Sequence, residues 1–313
     1  MNNIALLQEY IKALIINVDK TGVQRDINII FDGGAFNGGF AAGIGLYLKC
    51  MEEHKLIKVH RISGCSIGSI LAIWYLTGCM PEGIQCFEQF MKSYKKNMSL
   101  HAYKQIVTNF INQIFVSENK NKNTEQSIIT QLNGRLFITY YDVKNHKQKT
   151  VSKFRNKAHI LDCILRSSHI PYLMDGCPSY KKKYMDGVSP YIFKNGLSNL
   201  FIKLMTLKRC ARSLMLKSEN NIHYRLLTGI ADVNDFYTTG HSDMCSYIHN
   251  WSYTDIVQLR LREIIMFYIF SLIGCIIVVK KYIPLALTES LLYNGIIKAI
   301  NGLYIDLVGK VLV

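Results

Sequence analysis

Early in the chain, a short apolar stretch twice runs into glycines and then directly into helix-forming sequence. NIIF (residues 28–31) enters FDGGAFNGG (31–39), four glycines in nine residues, and 40–51 then read as a helix. VHRIS (59–63) meets GCSIG (64–68), and SILAIWYL (69–76) reads as a buried helix with Gly78 as its C-terminal stop. A flexible linker is a poor account of glycines set between packed-looking segments. A glycine cluster between strand and helix lets backbone come close to something. Strands alternating with helices imply an α/β layered domain with a mostly parallel sheet.

The rest of the chain extends this pattern. Residues 88–123 are polar and lysine-rich and read as helices with a surface loop around 119–124. RLFITYYDV (135–143) alternates and is rich in strand formers. The turn-prone VKNHKQ and then KTVSKF complete a hairpin, and 158–168 form a helix ending before Pro171. Residues 183–185 lead into Asp186-Gly187, and LFIKLMTL (200–207) is a further strand candidate. The opening 20 residues, with Leu7, Tyr10, Ile11, Leu14 and Ile15 on one face, form an amphipathic helix rather than a secretory leader.

Charge and cysteines narrow the partners. A formal net charge of +15 suits an anionic partner, either nucleic acid or an acidic membrane surface. No zinc finger, RNP motif or isolated arginine tract supports nucleic acid. The nine cysteines show no CxxC pair, so no zinc site is expected. Their odd number favours reduced thiols inside a cell. Residues 264–279 (IIMFYIFSLIGCIIVV) carry no charge and are flanked by Arg260, Arg262, Glu263, Lys280 and Lys281. As a helix they would reach about 24 Å, against roughly 30 Å of hydrocarbon. The expectation is a membrane span helped by lysine snorkelling, with an interfacial helix and a buried core helix as alternatives. Residues 283–313 read as one or two amphipathic helices.

The chemistry concentrates at the two glycine turns. GCSIG is G-x-S-x-G, which exposes Ser66 on a tight turn between Gly64 and Gly68 and sets it at a helix N-terminus. The alternative is an ordinary helix-capping serine between two packing glycines. A serine nucleophile needs a base and an oxyanion hole. Gly33, Gly34 and Ala35 lie where successive N–H groups can point at one oxygen. A phosphate-binding loop would need G-K-[ST], and a dinucleotide fingerprint would need glycine where Ala35 stands. MDGVSP (185–190) sets Asp186 at a strand end before Gly187, although Asp-Gly alone is a common turn. A Ser66–Asp186–His241 triad also fits the order of residues, but no HGGG-type loop accompanies it.

Taken together, the glycine-rich loop after the first strand, G-x-S-x-G about thirty residues on, and the late Asp-Gly resemble the patatin-like phospholipases over roughly residues 25–210. GGFAAGIGLYLKCMEE is similar to the helix after that family's loop, and RSSHIPYLMD to its segment before Asp-Gly. The resemblance implies a three-layer α/β/α domain with a mostly parallel central sheet. It also implies a Ser66 nucleophile, an Asp186 base, and an oxyanion loop of Gly33, Gly34, Ala35 and Gly38, with Asn37 and Gly187 in support. No metal or cofactor is implied. Three positions depart from the family pattern: Ala35 for a third glycine, Asn37 for a cation, and Val188 for a small residue.

The expectation is therefore an intracellular, membrane-associated serine acyl hydrolase acting on phospholipid or another acyl lipid at an anionic surface. It consists of an amphipathic helix over 1–24, a catalytic domain over 25–210 and a helical C-terminal region over 211–313. The alternatives are a catalytically silent membrane-binding scaffold and a transacylase. Lys181, Lys182 and Lys183 sit near Asp186 in sequence and read either as a solvated loop or as a site for lipid phosphate. With LKRCAR (207–212) they suggest a cationic membrane-facing surface.

Overall fold

The computed structural model describes residues 3–19, 22–97, 100–117, 124–172, 174–194, 196–206, 222–280, 282–284 and 289–312. The basic stretch 207–212 and most of the loop expected at 119–124 lie outside them.

After helix α1 (Asn3–Ile15) comes strand β1 (Asp26–Phe31), a one-turn 3-10 helix (Ala35–Asn37) and α2 (Gly38–Glu53). Strand β2 (Lys58–Cys65) then leads into α3 (Ile67–Thr77), α4 (Met80–Asn97), α5 (Tyr103–Ser117) and α6 (Thr124–Leu132). Next are β3 (Leu136–Asp142), β4 (Lys147–Val151), α7 (Lys157–Ser167), β5 (Tyr184–Met185) and β6 (Ser198–Ile202). The chain continues through α8 (Ile222–Thr239), β7 (Cys245–Tyr247), α9 (Tyr253–Lys280) and α10 (Leu291–Leu312).

The strands form one mixed sheet in the order β4-β3-β2-β1-β6-β7, with β5 paired to β3. Its centre is parallel, since β2 pairs with both β1 and β3, and β1 also pairs with β6. Strands β4, β5 and β7 join antiparallel. The central strands are buried on both faces, which is why they read as apolar runs. Ile27, Ile29 and Phe31 of β1 enter the main core, whereas Ile30 enters a second cluster with Phe193 and Phe201. The main core also takes Leu7, Ile11 and Ile15 of α1, and Leu226, Ile230 and Val233 of α8.

Two helix ends are fixed locally, the first of them where the sequence suggests. Gly78 ends α3 in the left-handed region at φ +72°, where its N–H and that of Cys79 recover the last helical carbonyls. Asn156 caps α7, its side chain accepting from the His159 amide at 2.8 Å.

The membrane span expected over 264–279 needs correction. These residues belong to α9, and among the described residues no helix is long and apolar enough to cross a membrane. The uncharged run is short, and the turn before it is tied to the loops after β1 and β5 by Arg262, which pairs with Asp32, and by Glu263, which accepts from Ser189. Beyond that turn α9 leaves Ile264, Ile265, Tyr268 and Leu272 exposed, and α10 exposes Leu291, Leu292, Ile300 and Leu303.

Candidate active site

Strand register sets the two glycine turns side by side. Phe31, the last residue of β1, pairs with Gly64 of β2, so both turns leave the C-terminal edge of the parallel strands together. Open α/β sheets hold their ligands at that edge. Gly68 is what lets the turns touch: a Cβ there would lie 2.5 Å from the Phe31 carbonyl oxygen and 2.7 Å from that of Asp32. Between Gly64 and Gly68, Ser66 takes φ 53° and ψ −129°, a backbone state that a non-glycine residue seldom adopts. Such strain persists only where the surroundings impose it, and it clusters at functional sites.

Several contacts impose it here. The Ser66 amide donates to Ser167, at 2.9 Å to Oγ and 3.1 Å to the carbonyl oxygen. Ser167 Oγ donates to the Thr139 carbonyl at 2.6 Å. The same Ser167 carbonyl accepts from Gly187, and the His169 carbonyl accepts from Asp186. The end of α7 therefore joins the serine turn to the aspartate turn. Strand β5 completes the approach by running antiparallel to β3, with Met185 opposite Tyr141, which brings the next residue back toward Ser66. Gly187 permits this, because a Cβ there would lie 2.4 Å from the Thr139 carbonyl oxygen and 2.8 Å from Cys65 Cβ.

As a result, Ser66 Oγ donates to Asp186 Oδ2 at 2.7 Å, across 120 residues of sequence. Asp186 keeps some exposed surface, but its Oδ1 is buried and bonded to no described group. Burial pushes the Asp186 carboxyl up to about 8, with the hydrogen bond from Ser66 opposing it. The neighbouring Cys65 thiol is pushed well above its usual value by burial, reinforced by Asp32 and Asp186.

The residues of the glycine loop do different things. The Gly33 amide donates to the carboxylate of its own neighbour, Asp32, at 2.9 Å. No described residue accepts from the Gly34 amide. Ala35 opens the 3-10 turn, and the Asn37 amide closes it on the Gly34 carbonyl at 2.8 Å. Asn37 is buried and its side chain donates to the Leu204 carbonyl, tethering the loop to the chain beyond β6. Gly38 opens α2 against the Ile67 side chain.

A small apolar pocket opens beside Ser66, walled by Phe36, Ile67, Phe90, Leu100, Tyr103 and Met174. A second small apolar pocket shares Ile67, Phe90 and Tyr103 with it and runs on to Trp74 and Phe110. Tyr103 donates to Ser168 Oγ at 2.6 Å at this junction.

Other candidates lie elsewhere. His241 is exposed beyond the end of α8, and His169 turns its ring toward the Cys177 carbonyl, so no histidine ring among the described residues bonds Ser66 or Asp186. Lys181 pairs with Asp162, and Lys183 lies over the Tyr184 ring. Among the described residues no group of three or more His, Cys, Asp or Glu is placed to hold a metal ion. Sequence reasoning missed Ser167, Tyr103, Asp32 and Arg262. Only the serine pair in RSSHIPYLMD offered a local signal for any of them.

Residues 29–194 match a family model described as patatin-like phospholipase, which covers more than half of the chain. No curated protein matches it.

Proposed function

The chain belongs to the patatin-like phospholipase family, and from that premise we propose that it is a lipid acyl hydrolase working through Ser66 and Asp186. The observation that carries this reading is the 2.7 Å hydrogen bond between them, made at the mouth of an apolar cavity. Asp186 takes the proton as Ser66 Oγ attacks the ester carbonyl of an acyl lipid. Gly34 and Ala35 offer backbone amides to the oxygen that becomes negative, and the N-terminus of α3 adds its dipole. The alcohol leaves with the proton that Asp186 took, and water deacylates Ser66 with Asp186 again as base. The acyl chain lies along the cavity that starts at Phe36 and Ile67.

Exposed apolar residues on α9 and α10 support docking of these helices into the interface of a lipid surface, where the chain's net charge of +15 favours acidic lipids. An anionic phospholipid is therefore the substrate class this reading favours.

The test is ester hydrolysis by the purified chain beside Ser66→Ala and Asp186→Asn. The reading expects at least a roughly thousandfold loss in each variant. Equal rates in all three would return the chain to the silent-scaffold alternative.

A further inference from the structure

Arg262 and Glu263 are adjacent on α9, well outside the family-matched residues 29–194. Each holds one of the two loops that meet at Ser66. Arg262 Nη1 donates to Asp32 Oδ2 at 2.7 Å, and Asp32 Oδ1 accepts from the Gly33 amide at 2.9 Å. Glu263 Oε1 accepts from Ser189 Oγ at 2.6 Å, on the loop that carries Asp186. Close by on α9, Met266 packs on the Tyr141–Met185 cluster beside Val188. A short stretch of α9 thus grips both the glycine loop and the aspartate loop.

Resting on the hydrolase reading, we infer that Arg262 is a positioning residue of the reaction. Through Asp32 it fixes the backbone at Gly33 so that the amides following it face the oxygen of the ester that Ser66 attacks.

The energetics favour a geometric role over a stabilising one. A buried ion pair adds little stability, because desolvation offsets the attraction. Arg262 deepens that cost, since its Nε and Nη2 are buried and bonded to no described group, whereas buried polar atoms normally find partners. What the pair does supply is orientation. Asp32 has no exposed surface and is held through both oxygens, so neither its carboxylate nor the Gly33 amide turns independently. A small displacement of groups aimed at a reacting atom is enough to slow an enzyme substantially.

The experiment compares the full chain with Arg262→Lys, Arg262→Met and the double variant Asp32→Asn/Arg262→Met. Removing Arg262 alone strands a buried carboxylate, so the double variant, read against wild type, serves where the single one fails to fold. Thermal unfolding confirms which variants are folded. In the folded variant without Arg262, kcat on a soluble ester falls about 100-fold while KM stays within about twofold. Arg262→Lys recovers part of kcat. In spectra of chain labelled with 15N-glycine, the Gly34 amide resonance moves when Arg262 is lost and stays near its place in Arg262→Lys. A folded variant with unchanged kcat and an unmoved Gly34 resonance overturns the inference. A wild-type chain that hydrolyses no ester overturns the hydrolase reading instead, and the Gly34 resonance then decides alone whether Arg262 sets the loop.

Discussion

Asp186 accepts a hydrogen bond from Ser66 through Oδ2, while its other oxygen, Oδ1, is buried with no described partner. One oxygen is thus committed to the serine, and burial leaves the carboxyl reluctant to ionise. Proton affinity is what a base needs, and the cost of holding it appears in both activity and stability.

For activity, burial pushes the Asp186 carboxyl up to about 8. A base acts only when deprotonated, so kcat/KM rises as pH passes through that value. Below it the rate should fall about tenfold per pH unit. A pH profile on a soluble ester checks this, and a rate already flat from pH 5 contradicts it.

For stability, the sign is opposite. The folded carboxyl keeps its proton after the unfolded chain, with its value of 3.8, has lost it. The stabilising contribution is complete below that value and is lost as pH rises toward about 8. Asp186→Asn removes this loss. Its melting temperature relative to wild type should climb between pH 5 and pH 8 and level off above. Thermal unfolding at a series of pH values measures the difference.

Phe90 stands between the two apolar cavities, within 5.3 Å of the Tyr103 ring. Phe90→Trp should close the passage. Hydrolysis of long-chain esters then falls about tenfold relative to short-chain ones, as competition between the two substrates would show. An unchanged ratio places the acyl chain elsewhere.

Leu291 and Leu292 of α10 are 93% and 77% exposed. If α10 docks on lipid, burying two leucines there is worth roughly 100- to 10,000-fold in partitioning. Leu291→Glu/Leu292→Glu should lower co-sedimentation with phosphatidylserine vesicles by at least the smaller of these factors. Equal co-sedimentation would remove α10 from the docking surface.

Legibility in the sequence followed the range of the interactions. The strand–glycine–helix units around Gly33 and Ser66 could be read because everything that shapes them lies within a few residues. Asp186 had no local distinction, since Asp-Gly is a common turn. It was singled out only by its order relative to the other motifs. Strand β7 is three residues long and shows no pattern of its own. The Arg262–Asp32 pair spans 230 residues, so Arg262 read as nothing more than a flank of an apolar run. That run suggested a membrane span because composition carries no record of the contacts its first turn makes. The glycine loop was read as a uniform row of amides, whereas Gly33 donates to Asp32 and only the next amides remain to be offered.

The central claim is that Ser66 is a nucleophile activated by Asp186. Labelling with a serine-directed fluorophosphonate, followed by peptide mass analysis, measures it most directly. The account predicts one adduct on Ser66 in the wild-type chain at pH 8, none in Ser66→Ala and slow labelling in Asp186→Asn. An unlabelled wild-type chain, or an adduct that persists in Ser66→Ala, would contradict it.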